Sequence, residues 1–180
     1  MKKFLIAAIA VLGFATANAQ DLYVGAGLGF NSTSHDGSTS TNFSINPEVG
    51  YRLSETFAIG INLGFSSDKK NKDAKAETAI EVKPYVRHTL TSWGDVDLFL
   101  DYGVRYKNYG ISDAKTNEFG VGITPGIAYN ATEKLSLVAK LGNGLGYTYS
   151  KPDGDGAKAT NKFGIDVNSL AVEFGVFFNF

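Results

Sequence analysis

Large apolar side chains alternate with small or polar ones along most of this chain. In its last segment, every second residue from position 170 to position 180 is large and apolar, and the residues between are mostly small or polar, with Phe177 the exception. Period-two alternation of this length predicts a β-strand whose two faces have different surroundings.

The same alternation recurs eight times. It covers residues 22–30, 42–53, 57–65, 80–90, 96–106, 118–129, 135–145 and 163–180. Short connections at 53–56, 91–95 and 130–133 alternate with longer polar ones at 31–41, 66–77, 108–116 and 150–161. This arrangement predicts an all-β fold, an eight-stranded antiparallel up-and-down transmembrane β-barrel, with both termini beside the short turns. Residues 163–167 have the opposite phase, which predicts a bulge near Asn168 or an excursion beyond the membrane.

An internal repeat supports this register. Residues 45–51, 82–88 and 123–129 share the pattern β-branched, any, Pro, any, β-branched, any, ring, and each is followed by a tight turn. His88 stands where the other two repeats have tyrosine. Because proline lacks an N–H, each mid-strand proline should mark a bulge or a lost ladder hydrogen bond.

Interior volume decides which face points outward. A soluble lipocalin-like barrel would also alternate, but eight strands enclose room for few large side chains. The large apolar face should therefore point outward, and a surface of that size requires lipid rather than water. Rings at both ends of the strands would form two interfacial girdles.

The N-terminus predicts export. Lys2 and Lys3 precede an apolar run of about 14 residues, too short for a membrane helix, and residues 17–19 form a small-x-small cleavage site. We expect a cleaved signal peptide at 1–19 and a barrel domain at 20–180. Without the two lysines, 15 basic residues face 18 acidic ones, a net charge of about −3, and nothing indicates binding to nucleic acid. The chain has no cysteine.

The signal peptide, the eight strands, the repeated Pro-x-apolar-x-Tyr hairpin and the final Phe180 together resemble the bacterial outer-membrane β-barrel domain family, often labelled porin-family, with the architecture of small OmpA/OmpX-type barrels. The resemblance implies an integral location in the outer membrane, contact with its lipid, and recognition of the C-terminal strand ending in Phe180 by the barrel-assembly machinery.

The inward face carries charges of both signs. They are Glu48, Arg52, Glu81, Lys83, Arg87, Asp97, Asp101, Arg105, Glu118, Lys140 and Glu173. Isolated buried ions are costly, so these side chains should form a lumen polar network. We expect hydrogen bonds between neighbouring strands, for example among Glu48, Arg52, Glu81, Arg87, Asp101 and Arg105. Such a network would plug the barrel, and the alternative is a polar conduit for small solutes.

No residue pattern predicts a catalytic, cofactor or metal site. The two histidines, His35 and His88, have ordinary loop and interfacial interpretations. The alternating glycines at 25–29 do not fit a nucleotide-binding loop, and residues 153–156 lack the later ligands of a calcium loop. We expect a non-enzymatic protein without cofactors that acts structurally or meets extracellular ligands through its long loops. The alternatives are a narrow porin-like passive channel and a rim enzyme acting on lipid.

Overall fold

The computed structural model describes residues 21–35, 38–70, 74–112, 114–141, 144–154, 156–165 and 172–180. The predicted signal peptide and the expected bulge near Asn168 lie outside these residues. Ten β-strands are present in the described part: β1 Leu22–His35, β2 Ser38–Arg52, β3 Phe57–Lys69, β4 Glu77–Trp93, β5 Val96–Ile111, β6 Ala114–Thr132, β7 Leu135–Leu141, β8 Leu145–Pro152, β9 Thr160–Ile165 and β10 Val172–Asn179. No helix in this part is long and apolar enough to cross a membrane.

The strands form one closed antiparallel sheet. Consecutive strands pair from β1 to β7, β7 pairs with β10, and β10 pairs with β1. β8 follows β7 along the same side of β6 and pairs with residues Thr116 to Ile123 of that strand. β9 pairs with the other side of β8. β7 with β8, and β9 with β10, therefore serve as single barrel strands, and the predicted eight-stranded all-β barrel is confirmed.

The two ends of the barrel differ. The end with the tight turns at 53–56, 94–95 and 133–134 is called the turn end, and the opposite end the loop end. Gly94 adopts a φ of 58°, which suits its place in the two-residue turn between β4 and β5.

The long loop-end connections expected from sequence are largely wrong. β1 and β2 pair out to His35 and Ser38, and β5 and β6 pair out to Ile111 and Ala114. Beyond the bilayer both faces of a hairpin meet water, so the strand continues although its hydrophobic alternation has stopped. Periodicity therefore reports the membrane-spanning part of a strand, not its full length.

The outward orientation of the apolar face is confirmed. Leu28 and Phe174 are 60% and 67% exposed on the outer surface, whereas Phe99 and Glu48 are 1% and 3% exposed inside. The phase change before the last strand is also present. Phe163 is the register partner of outward-facing Tyr147, although the outward residues of β10 are even-numbered.

The three repeated prolines each interrupt a ladder, as predicted. Pairing to the following strand skips Pro47 and Pro84 and resumes in the same register. Beside Pro125 the interruption is larger. Ile123 pairs with Leu145 and Gly126 pairs with Lys140, so three residues of β6 lie opposite five residues of the neighbouring chain segment. This mismatch is where β7 ends and β8 begins.

Candidate functional site in the barrel interior

Four inward charges meet across the centre of the barrel. Arg87 on β4 and Asp101 on β5 are register partners, and the guanidinium binds the carboxylate through two hydrogen bonds, Nε–Oδ1 at 2.7 Å and Nη2–Oδ2 at 2.8 Å. Arg87 Nη2 also donates to Glu48 Oε1 at 3.2 Å. Lys140 Nζ binds Glu48 Oε2 and lies 3.4 Å from Asp101 Oδ2. We call these four residues the ionic plug.

The plug is largely buried and electrically balanced. Its side chains are 12%, 1%, 2% and 8% exposed for Arg87, Glu48, Asp101 and Lys140 respectively. Two cations offset two anions, so the desolvation cost of each ion is recovered only while all its partners stay in place. Charge-assisted and bidentate contacts of this kind are among the stronger hydrogen bonds in proteins.

Four inward rings surround the plug. This aromatic collar consists of Tyr23, Tyr85, Phe99 and Phe177. The Arg87 guanidinium carbon lies 4.0 Å from the centre of the Phe99 ring, within cation–π distance. The Tyr85 hydroxyl donates to Glu48 Oε1 at 2.6 Å, which ties the collar to the plug.

Each ring of the collar lies over a glycine of a neighbouring strand. Tyr23 covers Gly50, Tyr85 covers Gly60, and Phe99 covers Gly126, and a Cβ at any of these glycines would overlap the ring. Phe177 covers Gly25 in the same way. Glycine is required at these positions because the rings approach the backbone too closely for any side chain.

The plug and collar divide the lumen into two compartments. On the loop-end side is a cavity of about 190 Å³ whose polar lining includes Asn46, Asn62 and Lys83. On the turn-end side is a cavity of about 70 Å³ whose lining includes Arg52, Asp97 and Asn179. A third cavity, of about 660 Å³, adjoins the first and is lined partly by Arg105.

Other predicted interior charges form separate local contacts. Arg105 Nη2 lies 2.8 Å from Glu118 Oε1 and 3.2 Å from Thr148 Oγ1. Lys83 Nζ donates to Thr124 Oγ1 at 2.9 Å. These residues line the third cavity, nearer the loop end than the plug.

At the turn end, charges bind neutral partners. Arg52 Nη2 donates to Asn179 Oδ1 at 2.9 Å. Asp97 accepts from Ser92 at 2.6 Å and from Asn130 at 2.8 Å.

The expected network of six residues therefore divides into smaller groups. Glu48, Arg87 and Asp101 meet, and Lys140 joins them from the opposite wall. Arg52 and Arg105 do not reach the plug, because their strand positions lie toward opposite ends of the barrel. Glu81 and Glu173 line the loop-end cavity.

Sequence reasoning missed the aromatic collar. Alternation places Tyr23, Tyr85 and Phe99 on the inward face, but the expectation of a small-residue interior gave large rings no role there. The available signal was register: Tyr23 is paired with Gly50, and Tyr85 with Gly60, in adjacent strands.

His88 does not belong to the interior site. His88 is on the outer face, stacked on Phe57 with ring centres 4.6 Å apart. The side chain of His35 lies outside the described part of the structure. Among the described residues, no group of three or more His, Cys, Asp or Glu side chains could hold a metal ion.

Comparison with known proteins adds a family and a fold. The model of the family described as "Outer membrane protein beta-barrel domain" matches residues 4–178. No curated protein matches the sequence. Among solved structures, Neisserial surface protein A is similar at 18% identity with a TM-score of 0.51, covering 91% of this chain and 100% of that one. The N-terminal β-barrel domain of Pseudomonas aeruginosa OprF matches at 13% identity and a TM-score of 0.47, over 91% and 100% of the two chains. A major outer membrane protein from Thermus thermophilus matches at 15% identity and a TM-score of 0.49, over 89% and 98%.

Proposed function

The chain belongs to the outer membrane protein β-barrel domain family and is integral to the bacterial outer membrane, and on that premise we propose that it is a closed, non-enzymatic barrel that acts at the cell surface through its loop end. The observation that carries this proposal is the ionic plug. Arg87 contacts Asp101 and Glu48 in the lumen between the two polar cavities, inside a collar of four rings. A solute would have to separate buried ion pairs to pass.

The length of the strands supports a role outside the bilayer. A membrane-spanning β-strand needs about 9–11 residues, whereas β6 has 19 residues and β5 has 16. The excess lies at the loop end, where the β5–β6 hairpin continues to Ile111 and Ala114. These projecting hairpins offer a firm surface for an extracellular ligand.

A narrow passive channel is the second candidate. The polar cavities on the two sides of the plug and collar favour it, because a rearrangement of the side chains between them would join the cavities. The ground state of such a channel would be closed. The two candidates therefore differ in whether the plug opens during function.

A rim enzyme acting on lipid has the weakest support. Catalysis by a Ser-His-Asp arrangement needs a nucleophile within hydrogen-bond reach of a base. His88 instead stacks on Phe57 at the turn end. We therefore propose a role without chemistry and without a cofactor.

Assembly and lipid contact complete the proposal. β10 closes the barrel by pairing with β1, and the rings of Phe178 and Phe180 pack edge to face at 5.1 Å on its outer side. We propose that this strand is the segment that the barrel-assembly machinery recognises, and that the exposed apolar face lies in outer-membrane lipid.

Orientation is tested by single-cysteine labelling, which the absence of native cysteine makes simple. Lys158→Cys places a thiol in the exposed loop-end connection and Glu133→Cys places one in a turn-end hairpin. An impermeant maleimide should label the first variant in intact cells and the second only after permeabilisation. The reverse pattern would contradict a surface role for the loop end.

Complementation of a deletion strain separates the two candidate functions. One variant replaces residues 109–116 by an Asn-Gly turn, which shortens the β5–β6 hairpin to the register pair Asn108 and Asn117. The other variant replaces the four plug residues together, with Arg87→Ser, Lys140→Ser, Glu48→Ser and Asp101→Ser, which removes the plug without leaving an unpaired buried ion and keeps the hairpins. A surface role predicts that the hairpin variant fails to restore the envelope phenotype while the plug variant restores it, and the opposite result favours the channel.

A further inference from the structure

An apolar groove runs across the lipid-facing surface of β4, β5, β6 and β8. Its floor consists of the small side chains of Pro84, Val104 and Val121. The groove has two parts of about 650 Å³ and 440 Å³ that share this floor. An outer barrel surface packed by large side chains would leave no such depression.

Strand register explains the shape of the groove. Val104 and Val121 are partners, so two small residues lie side by side. Tyr106 and Phe119 are the next outward-facing pair toward the loop end. Their ring centres lie 4.9 Å apart, and the two rings form the loop-end wall of the groove. Tyr147, the partner of Val121 on β8, forms its side wall.

Polar groups begin directly above the groove. The Tyr106 hydroxyl donates to Asn117 Oδ1 at 2.8 Å, so the ring stays in the apolar layer and its oxygen leaves it. Lys151 is the register partner of Asn117, and Lys115 lies one outward position further along β6. Asp153 accepts from Asn117 at 2.8 Å, so among the residues that the structure describes at this place two lysines lie beside one acid.

The spacing of these groups suits one lipid molecule. Successive outward residues of a strand are about 7 Å apart. Lys151 therefore lies about 7 Å from the level of the rings toward the loop end, and Lys115 about twice as far. In an amphipathic lipid, the phosphate lies a comparable distance above the start of the acyl chains. Basic side chains near a membrane surface attract anionic lipid head groups.

We infer that this groove is a binding site for one phosphorylated lipid of the outer membrane, with an acyl chain on Val104 and Val121 and a phosphate held by Lys115 and Lys151. The site is on the outer wall. It therefore holds whether or not the lumen conducts, and it goes beyond the proposed surface role.

The test measures bound lipid A by native mass spectrometry after the barrel is reconstituted in phosphatidylcholine nanodiscs containing lipid A and released into mild detergent. Val121→Phe fills the groove, and Val49→Phe is its matched control on the outer face of β2. Lys115→Gln with Lys151→Gln removes the head-group charges, and Lys69→Gln with Lys70→Gln is the control pair. Far-ultraviolet circular dichroism establishes that each variant is folded.

Wild type and both controls should retain one lipid A. The groove variant should lose it, and the lysine pair should bind about fivefold more weakly for each charge removed. Dephosphorylated lipid A should bind wild type as weakly as lipid A binds the lysine variant. Equal retention by all variants would overturn the site, as would loss in the lysine variant alone, because that result indicates charge attraction without a groove.

Discussion

At the scale of single residues, the interior is built from rings placed on glycines. Tyr23 over Gly50 and Phe99 over Gly126 each fill the space that a side chain would occupy on the next strand. The rings then provide the apolar wall against which the Arg87 guanidinium is held. Glycine and ring therefore act as pairs, and neither can be exchanged alone.

Gly50→Ala should destabilise the barrel, because the added Cβ overlaps the Tyr23 ring. Overpacking of this kind costs about 1–3 kcal/mol. Gly164→Ala is the control, since no atom lies within 4 Å of a Cβ at that position. Urea unfolding in lipid vesicles measures both, and equal midpoints for the two variants would mean that the ring does not rest on Gly50.

Arg87→Gln should be more destabilising than Arg105→Gln. Loss of Arg87 leaves two buried carboxylates, Asp101 and Glu48, with Lys140 as their one remaining cation in the plug, and breaking a buried ion pair in this way typically costs about 3–5 kcal/mol. The Arg105 side chain is 19% exposed beside a large cavity, so water can solvate Glu118 after the substitution. Unfolding midpoints in the same lipid compare the two, and a larger loss for Arg105→Gln would contradict the central place of Arg87.

At the scale of strands, the hydrophobic pattern predicted the barrel correctly because lipid and lumen impose opposite demands on alternate residues. The same reasoning failed where that contrast ends. The β1–β2 and β5–β6 hairpins continue past the end of the apolar alternation, where the sequence looks like a loop. The prolines were informative, since Pro47 and Pro84 interrupt the ladders without changing the register.

Depth in the membrane should govern the cost of a charge on the outer face. Ile123 is paired with Tyr102 and lies four residues further from the turn end than Ile127, the partner of Leu98. Ile123→Arg should therefore destabilise by about 2–4 kcal/mol, the range near the bilayer midplane, and Leu98→Arg by less. Unfolding in vesicles gives both values, and equal stability of Ile123→Arg and wild type would mean that the apolar face does not meet lipid.

At the scale of the whole molecule, a small number of side-chain contacts crosses the lumen of the barrel. Which charges face inward follows from alternation, but which of them meet depends on barrel radius and strand stagger. Lys140 reaches Glu48 across the lumen from β7, a contact that no sequence spacing indicates. Likewise, Arg105 belongs to a separate pair near the loop end. The composition of the plug thus required the three-dimensional structure, whereas the sequence indicated only that inward charges of opposite sign should pair.

Closure of the lumen by the plug is tested most directly by single-channel recording in planar bilayers. Wild type should show no steady conductance, because Arg87 and Lys140 bridge Glu48 and Asp101 across the pore. Replacing all four charges together, with Arg87→Ser, Lys140→Ser, Glu48→Ser and Asp101→Ser, removes the bridges without leaving an unpaired buried ion and should give measurable conductance. A large, stable, ohmic conductance from the wild-type monomer would contradict the plug and make the passive channel the better description.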